Sequence, residues 1–388
     1  MKKCNLIKLA SLAVLLAGTT LLTPGFTVKA ESVQNVSSSS QSNDQKNHNG
    51  WKRVMQETVQ LGTPGILAKA SKNGKTSSYT AGVADLSTKK PMKSDYCFRI
   101  GSVTKSFTAT TVLQLVGENR VHLDDPIEKW LPGLIQGNGY DGKQITVRQL
   151  LNHTSGIAEY LKSKDADIMN TKKSYTAEEI VKIGLSLPPD FSPGKGWSYS
   201  NTGYVILGML IEKVTGNSYA EEIEKRIIEP LDLSNTFLPG NSTVISGSNH
   251  ARGYVKNDET SELKDVTYYN PSIASSAGDM ISNADDLNKF FSSLLGGKLL
   301  KERELKEMLT TVPTGREDIR DGYGLGIYET KLPNGVSVWG HTGGIPGFTT
   351  FAGGIIGGKH TLAVNANSLG GIDIGTQFNK MMQIEFGK

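Results

Sequence analysis

The chain has 388 residues, 37% hydrophobic and 21% charged, with 42 basic against 38 acidic side chains. That length supports one large core or two closely joined domains, and the charge balance lacks the basic excess that nucleic-acid binding requires. Four lysines (Lys2, Lys3, Lys8, Lys29) fall in the first 30 residues, which carry no acid, so the remainder is balanced at 38 against 38.

Residues 1–30 read as an export signal. Three lysines precede an apolar run, Leu9 to Leu22, that is shorter than the ~20 residues a membrane span needs. Pro24-Gly25 breaks the run, and Val28-Lys29-Ala30 is a small-residue cleavage site. A secreted protein is therefore expected. Cys4 sits ahead of the apolar run and is not placed for lipid attachment. Cys97 is the other cysteine, so no internal disulfide is expected and the core must supply the stability. Residues 31–50 are rich in Ser, Asn and Gln and are expected to be a disordered segment or pro-segment.

From Trp51 the composition is globular. Trp51 to Leu61 reads as an amphipathic helix. Gly65 to Lys72 and Thr76 to Val83 read as strands around Asn73-Gly74, a strong hairpin signal. Tyr96 to Ile100 reads as a short buried strand closed by Gly101. From Val103 the apolar period becomes helical, with Val103, Phe107, Val112, Leu113 and Val116 before Gly117. Short helices are expected at Ile127–Leu131, Ala177–Leu185 (capped by Thr176), Tyr204–Val214 (stopped by Gly216) and Ser218–Ile228. A helix at Asn283–Leu295, capped by Ser282, precedes strands at Tyr323–Glu329, Val336–Gly340, Phe348–Ile356 and His360–Asn365. Met381 to Phe386 closes the chain as a helix. Strands at both ends with helices between predict one sheet built from the two termini.

Ser102 falls where a strand hands over to a helix. Lys105, three residues on, shares its face and brings an amine to the Ser102 hydroxyl. Unpaired first-turn N–H groups and the positive end of the helix dipole would stabilise an oxyanion there. A serine beside a lysine base is a known activated nucleophile. The bare pattern is common, since Ser87/Lys90, Ser192/Lys195 and Ser261/Lys264 also match. Two further signals follow in order, Tyr199-Ser200-Asn201 and His341-Thr342-Gly343. The first has a partial copy at Tyr268-Tyr269-Asn270; the second directly follows a predicted strand and has no copy.

With these three signals in order, the chain resembles the serine β-lactamase and penicillin-binding-protein superfamily. It is most similar to the branch of D-alanyl-D-alanine carboxypeptidases, class C β-lactamases and alkaline D-peptidases. Leu150-Leu151-Asn152-His153-Thr154-Ser155-Gly156 and Ala277-Gly278 through Asp286 also look like that branch, and the likeness runs from Trp51 to the C-terminus. The resemblance implies an α/β (α+β) fold over 51–388, an antiparallel sheet from the N- and C-terminal segments flanked by helices. A mostly helical insertion would span about 118–280. It implies Ser102 as the acylated nucleophile. Lys105 would accept its proton or lower the pKa of a neighbouring phenol. Tyr199 would act as base and then acid, and Asn201 would hold the substrate amide. His341, Thr342 and Gly343 would face the leaving-group side. The backbone N–H groups of Ser102 and Gly344 would form the oxyanion hole. No metal or other cofactor is implied.

Where many β-lactamases carry lysine in the third motif this chain has His341, mostly neutral above ~6.5. That favours a peptidase or esterase over a β-lactamase. The implied substrates are small peptides containing D-amino acids, with peptidoglycan stem peptides and β-lactams as further candidates. A D-alanyl-D-alanine carboxypeptidase or esterase is the alternative within enzymes; a penicillin-binding cell-wall protein that keeps only the fold is the alternative outside them. A Lys105–Tyr199 pair starting near ~10 implies an alkaline optimum. Strand residues 341–344 would pair with the substrate backbone. His153 is expected to cap or pack, Cys97 to be a small core side chain, and Trp197 to line the cleft or pack its loop. His122, His250 and His360 show no metal-ligand spacing, and no glycine-rich stretch has the phosphate-cradle spacing.

Overall fold

The computed structural model describes residues 36–170, 173–247, 249–256, 262–319, 321–370 and 373–387. The expected export signal, residues 1–30, lies outside them. The main sheet has seven strands: β1 Gly65–Lys72, β2 Lys75–Asp85, β3 Lys90–Pro91, β4 Tyr328–Lys331, β5 Ser337–Ile345, β6 Phe348–Gly354 and β7 His360–Ala366. Their order is β4-β5-β6-β7-β1-β2-β3, all antiparallel. The N-terminal hairpin thus completes a sheet begun by the C-terminal strands, as the sequence predicts. Lys72 pairs with Lys75, and Asn73 and Gly74 both take positive φ (51° and 78°), the turn that matches strand twist.

Alternation along each strand builds two cores. Ile66, Ala68 and Ala70 of β1, Phe351 of β6 and Leu362 and Val364 of β7 face a layer of two helices, Val36–Gln60 and Ile374–Phe386. Trp51, Val54, Met55, Phe378, Met381 and Met382 fill that layer. Glu385 ties it together, accepting from Trp51 Nε1 at 3.1 Å and standing 2.7 Å from His360 Nε2. Leu67, Ala352 and Ala363 point the other way, into the larger core of the helices Thr104–Gly117, Asn201–Thr215 and Ala284–Leu295. There Phe107 stacks on Phe290 at 3.7 Å between centroids.

Several boundaries differ from expectation. The first helix begins at Val36, not Trp51, so its first turns take in polar residues of the 31–50 segment. Helix geometry propagates through such residues once the packed turns from Trp51 are formed. Asn283, not Ser282, caps the Ala284 helix by accepting from Asp286 N–H. The last helix is a full turn and more longer, from Ile374. The expected Tyr323–Glu329 strand is displaced to Tyr328–Lys331, with Tyr323 making isolated bridges to Val312 and Tyr328. The most consequential change is β5, which runs on to Ile345, so His341-Thr342-Gly343 lies inside the strand rather than after it.

Candidate active site

Phe98–Arg99 pairs with Ile281–Ser282, a shorter strand than expected, and delivers the chain to Gly101. Gly101 has φ +53°, a conformation that favours glycine, and a Cβ there would come within 3.0 Å of Gly344. Gly101–Val103 forms a single 3-10 turn before the helix Thr104–Gly117. Ser102 is half-buried in that turn. Strand β5 closes directly on it, since a Cβ on Gly343 would sit 1.9 Å from Ile100 O and 3.1 Å from Ser102 N. Gly343 is therefore required by backbone approach. β4 pairs only with Ser337–Gly340, so residues 341–345 have no strand neighbour on that side among the described residues.

Lys105 is fully buried, and its Nζ stands 3.2 Å from Ser102 Oγ, 2.6 Å from Asn201 Oδ1 and 2.7 Å from the Ala277 carbonyl. It also lies 4.9 Å from the Tyr199 ring centroid. Burial pulls its pKa down from 10.5 to about 7, with the Glu159 carboxylate opposing the fall. As a neutral amine it has two hydrogens and one lone pair. Asn201 Oδ1 and Ala277 O can only accept, so they take the hydrogens and the lone pair is left for Ser102.

Tyr199 hydrogen-bonds Ser102, but burial raises its pKa well above that of an ordinary phenol. Burial thus moves the two groups apart, amine down and phenol up. Asn201 reaches Lys105 through the N-terminus of the helix Asn201–Thr215, which Ser200 caps. Its backbone N–H donates to Glu159 Oε2 at 2.6 Å, and its side chain also bonds that carboxylate. Asn201 thus links Glu159 and Lys105. Glu159, 8% exposed, escaped the sequence reading. Only its place three residues after Gly156 hinted at it.

His341 is 2% exposed and uses both ring nitrogens internally. Nδ1 faces the Thr342 carbonyl, which can only accept, so Nδ1 carries the proton. Nε2 must then accept from the Tyr323 hydroxyl at 2.8 Å. Burial and the charge of Lys105 pull the imidazole down to about 3, so it stays neutral. Both ring nitrogens of His341 are thus engaged within the protein. Thr342 is exposed and hydrogen-bonds Tyr328. Tyr323 and Tyr328 pack with Ile319, Trp197 and Tyr199 into one aromatic wall. Nothing in the spacing of Tyr323 marks it, because the bridges that carry it beside His341 are tertiary.

The other candidates behave as bland reading expects. Ser87 bonds Asp85 in a turn at 2.7 Å, Ser192 accepts from Lys195 N–H at 3.0 Å, and Asn270 caps a short turn at Ser272. Ser261 lies outside the described residues. Cys97 is buried, and burial pushes its thiol up to about 11, which suits a small core side chain. Among the described residues no three His, Cys, Asp or Glu side chains stand close enough to hold a metal ion. No helix among them is long and apolar enough to cross a membrane.

Comparison with known proteins bears on the family and the fold. The Beta-lactamase family model matches residues 51–377. A D-stereospecific amidohydrolase from Streptomyces sp. superposes with a TM-score of 0.81 at 41% identity, covering 88% of this chain and 99% of that one. D-amino acid amidase from Ochrobactrum anthropi SV3, complexed with L-phenylalanine, gives 0.78 at 30% identity, covering 87% and 98%. Penicillin-binding protein 4* of Bacillus subtilis (strain 168) is 30% identical over 301 residues, which are 74% of this chain but 64% of that protein.

Proposed function

The chain belongs to the β-lactamase family of serine hydrolases, and we propose that it is an exported D-stereospecific peptidase or amidohydrolase acting through an acyl-enzyme on Ser102. The observation that carries the reading is the buried Lys105 Nζ, 3.2 Å from Ser102 Oγ and bonded also to Asn201 Oδ1 and Ala277 O; in the neutral amine those two acceptors take the hydrogens and the lone pair is left for Ser102. Lys105 takes the Ser102 proton as the oxygen attacks the substrate carbonyl. The oxyanion forms against the N–H groups of Ser102 and Gly344, a contribution of ~3 kcal/mol for one such donor. Tyr199, kept protonated by burial, gives its proton to the departing nitrogen and regains one from the Lys105 ammonium. Water then attacks the acyl group by the reverse proton path and frees Ser102.

Preference for D-configured substrates rests on the likeness to the Streptomyces and Ochrobactrum enzymes, both described as acting on D-compounds. The locked, neutral His341 supports amides and internal peptide bonds over substrates that need a cation for a terminal carboxylate. The test is kcat/KM on matched D- and L-aminoacyl amides and peptides, with free and amidated C-termini, together with mass spectrometry after fluorophosphonate treatment. D-selective turnover and an adduct on Ser102 are expected. Equal rates on L-substrates, turnover of β-lactams alone, or an adduct on another serine would overturn the reading. An absolute need for a free carboxylate would instead establish the carboxypeptidase. Export is tested separately, by an N-terminus at Glu31 on protein recovered from the medium.

A further inference from the structure

We propose that His153 is a positioning residue that clamps Tyr199 in register with Ser102, an inference that rests on the hydrolase reading above. The residues on either side of Tyr199 are both anchored to it. Ser198 N–H donates to the His153 carbonyl at 3.1 Å, and Ser200 N–H donates to His153 Nδ1 at 3.1 Å. The same imidazole packs against the Tyr199 ring, with centroids 4.3 Å apart and planes tilted by 35°. One residue therefore fixes the backbone before Tyr199, the backbone after it and the face of its ring.

His153 holds an uncommon backbone conformation to do this, with φ +63° in a residue that is not glycine. Such conformations persist where the surroundings over-determine them, and they gather at functional sites. The ring is 1% exposed, enclosed by Trp197, Tyr199, Tyr204 and Tyr323. Because Nδ1 accepts from Ser200, the proton sits on Nε2, and that N–H is buried without a hydrogen-bond partner. A ring kept only to fill space would not need a polar atom left unpaired; here the requirement lies at Nδ1. Burial first, and then the nearby Lys105 charge, hold the imidazole in its neutral form, which preserves Nδ1 as an acceptor. His153 also lies too deep behind Tyr199 to meet substrate, so its effect must pass through the phenol.

The placement explains why a histidine suits the position. An acceptor is wanted at the second atom beyond Cβ, on a flat body wide enough to support a tyrosine. Asparagine offers an acceptor at that same place and tolerates positive φ. Leucine offers similar bulk without one.

The experiment compares His153→Leu, His153→Asn and His153→Ala in the whole protein, with an N-acylated D-aminoacyl amide as substrate. Folding is followed by melting temperature and by fluorophosphonate labelling of Ser102. His153→Leu is expected to lose about 10- to 100-fold in kcat, the scale of a sub-ångström to one-ångström misplacement of a reacting group, with KM within about 3-fold. His153→Asn should recover most of the loss, to within about 5-fold of the parent. His153→Ala should resemble leucine and serves if leucine does not fold. The proposal is overturned if His153→Leu and His153→Ala keep kcat within 2-fold, if the loss appears in KM, or if asparagine is as poor as leucine. If the parent protein neither labels nor turns over, the hydrolase reading falls. If the parent works and the variants match it, only the clamp falls.

Discussion

If neutral Lys105 is the base that takes the Ser102 proton, activity must rise with pH as that amine loses its charge. Burial moves its midpoint from 10.5 to about 7, equivalent to roughly 5 kcal/mol against the ammonium at ~1.4 kcal/mol per tenfold. An unshifted lysine at pH 7 would be neutral in only about one molecule in 3,000; here about half are. The expected profile of kcat/KM therefore climbs tenfold per pH unit below about 7, stands about a hundredfold under its plateau at pH 5, and flattens above neutrality. Tyr199 must stay protonated to serve the leaving group, and burial raises it well above 10, so no descending limb is expected below ~10. The substrate should be an N-acylated D-aminoacyl ester, which has no amine of its own to titrate. Replacing Glu159 by Gln removes the carboxylate that favours the ammonium, so the acid limb should move to lower pH. A limb at the ordinary lysine position, or a Glu159→Gln limb that moves upward, would refute the reasoning. The same shift affects stability with a definite sign. Between about 7 and 10.5 the unfolded chain keeps a proton that the folded chain has lost, so Lys105 makes unfolding harder as pH rises through that window.

Tyr199→Phe should lower kcat by about 10²–10⁴-fold and leave the melting temperature near that of the parent. Combined with Lys105→Met, the losses should be strongly non-additive, because both groups move one proton; a double variant whose losses multiply would separate them. Gly343→Ala puts a methyl 1.9 Å from Ile100 O, so it should cost ~1–3 kcal/mol in denaturant unfolding and most of the activity. Tyr323→Phe removes the donor to His341 Nε2 and should raise the ratio of kcat/KM on free-carboxylate over amidated peptides; an unchanged ratio would show that the hydroxyl does not set that choice.

The parts legible in the sequence were those encoded by local period or contiguous motif. Asn73-Gly74 set a hairpin register that needed no tertiary information, and Gly216 ended its helix at φ +81° as glycine should. Ser102 and Lys105 were readable because three residues on a helical turn face together. Their convergence with Asn201 was implied by family order and is made concrete at 2.6 Å. What stayed hidden depends on packing between distant segments. The extension of β5 through the glycine-rich 341–345 run has no apolar alternation of its own, and follows from pairing with Phe348–Gly354. Glu159 and Tyr323 reach the site only because segments distant in sequence fold together there, Glu159 against Asn201 and Tyr323 against His341. The pKa values moved apart for the same reason: reference values near ~10 hold in water, while Lys105 is fully buried and Tyr199 half-buried.

The electrostatics of this wall bear on substrate choice more directly than any motif. Three basic side chains act on Tyr199 or its clamp: Lys105, His341 and Arg316. Lys105 is about half neutral near pH 7 and points all its polar capacity inward. His341 is neutral, with Tyr323 on one nitrogen and a carbonyl on the other. Arg316 is paired with Asp318 by two parallel bonds of 2.8 and 2.7 Å, while its guanidinium lies 5.9 Å over Trp197. A carboxylate arriving beside the leaving group would lose water and meet none of these as a free partner. A neutral amide there would lose less, and the open edge of residues 341–345 offers backbone groups to bind it. On the proposed reading, the balance of desolvation against available partners would favour amides and internal peptide bonds, the same direction in which a neutral third-motif histidine points.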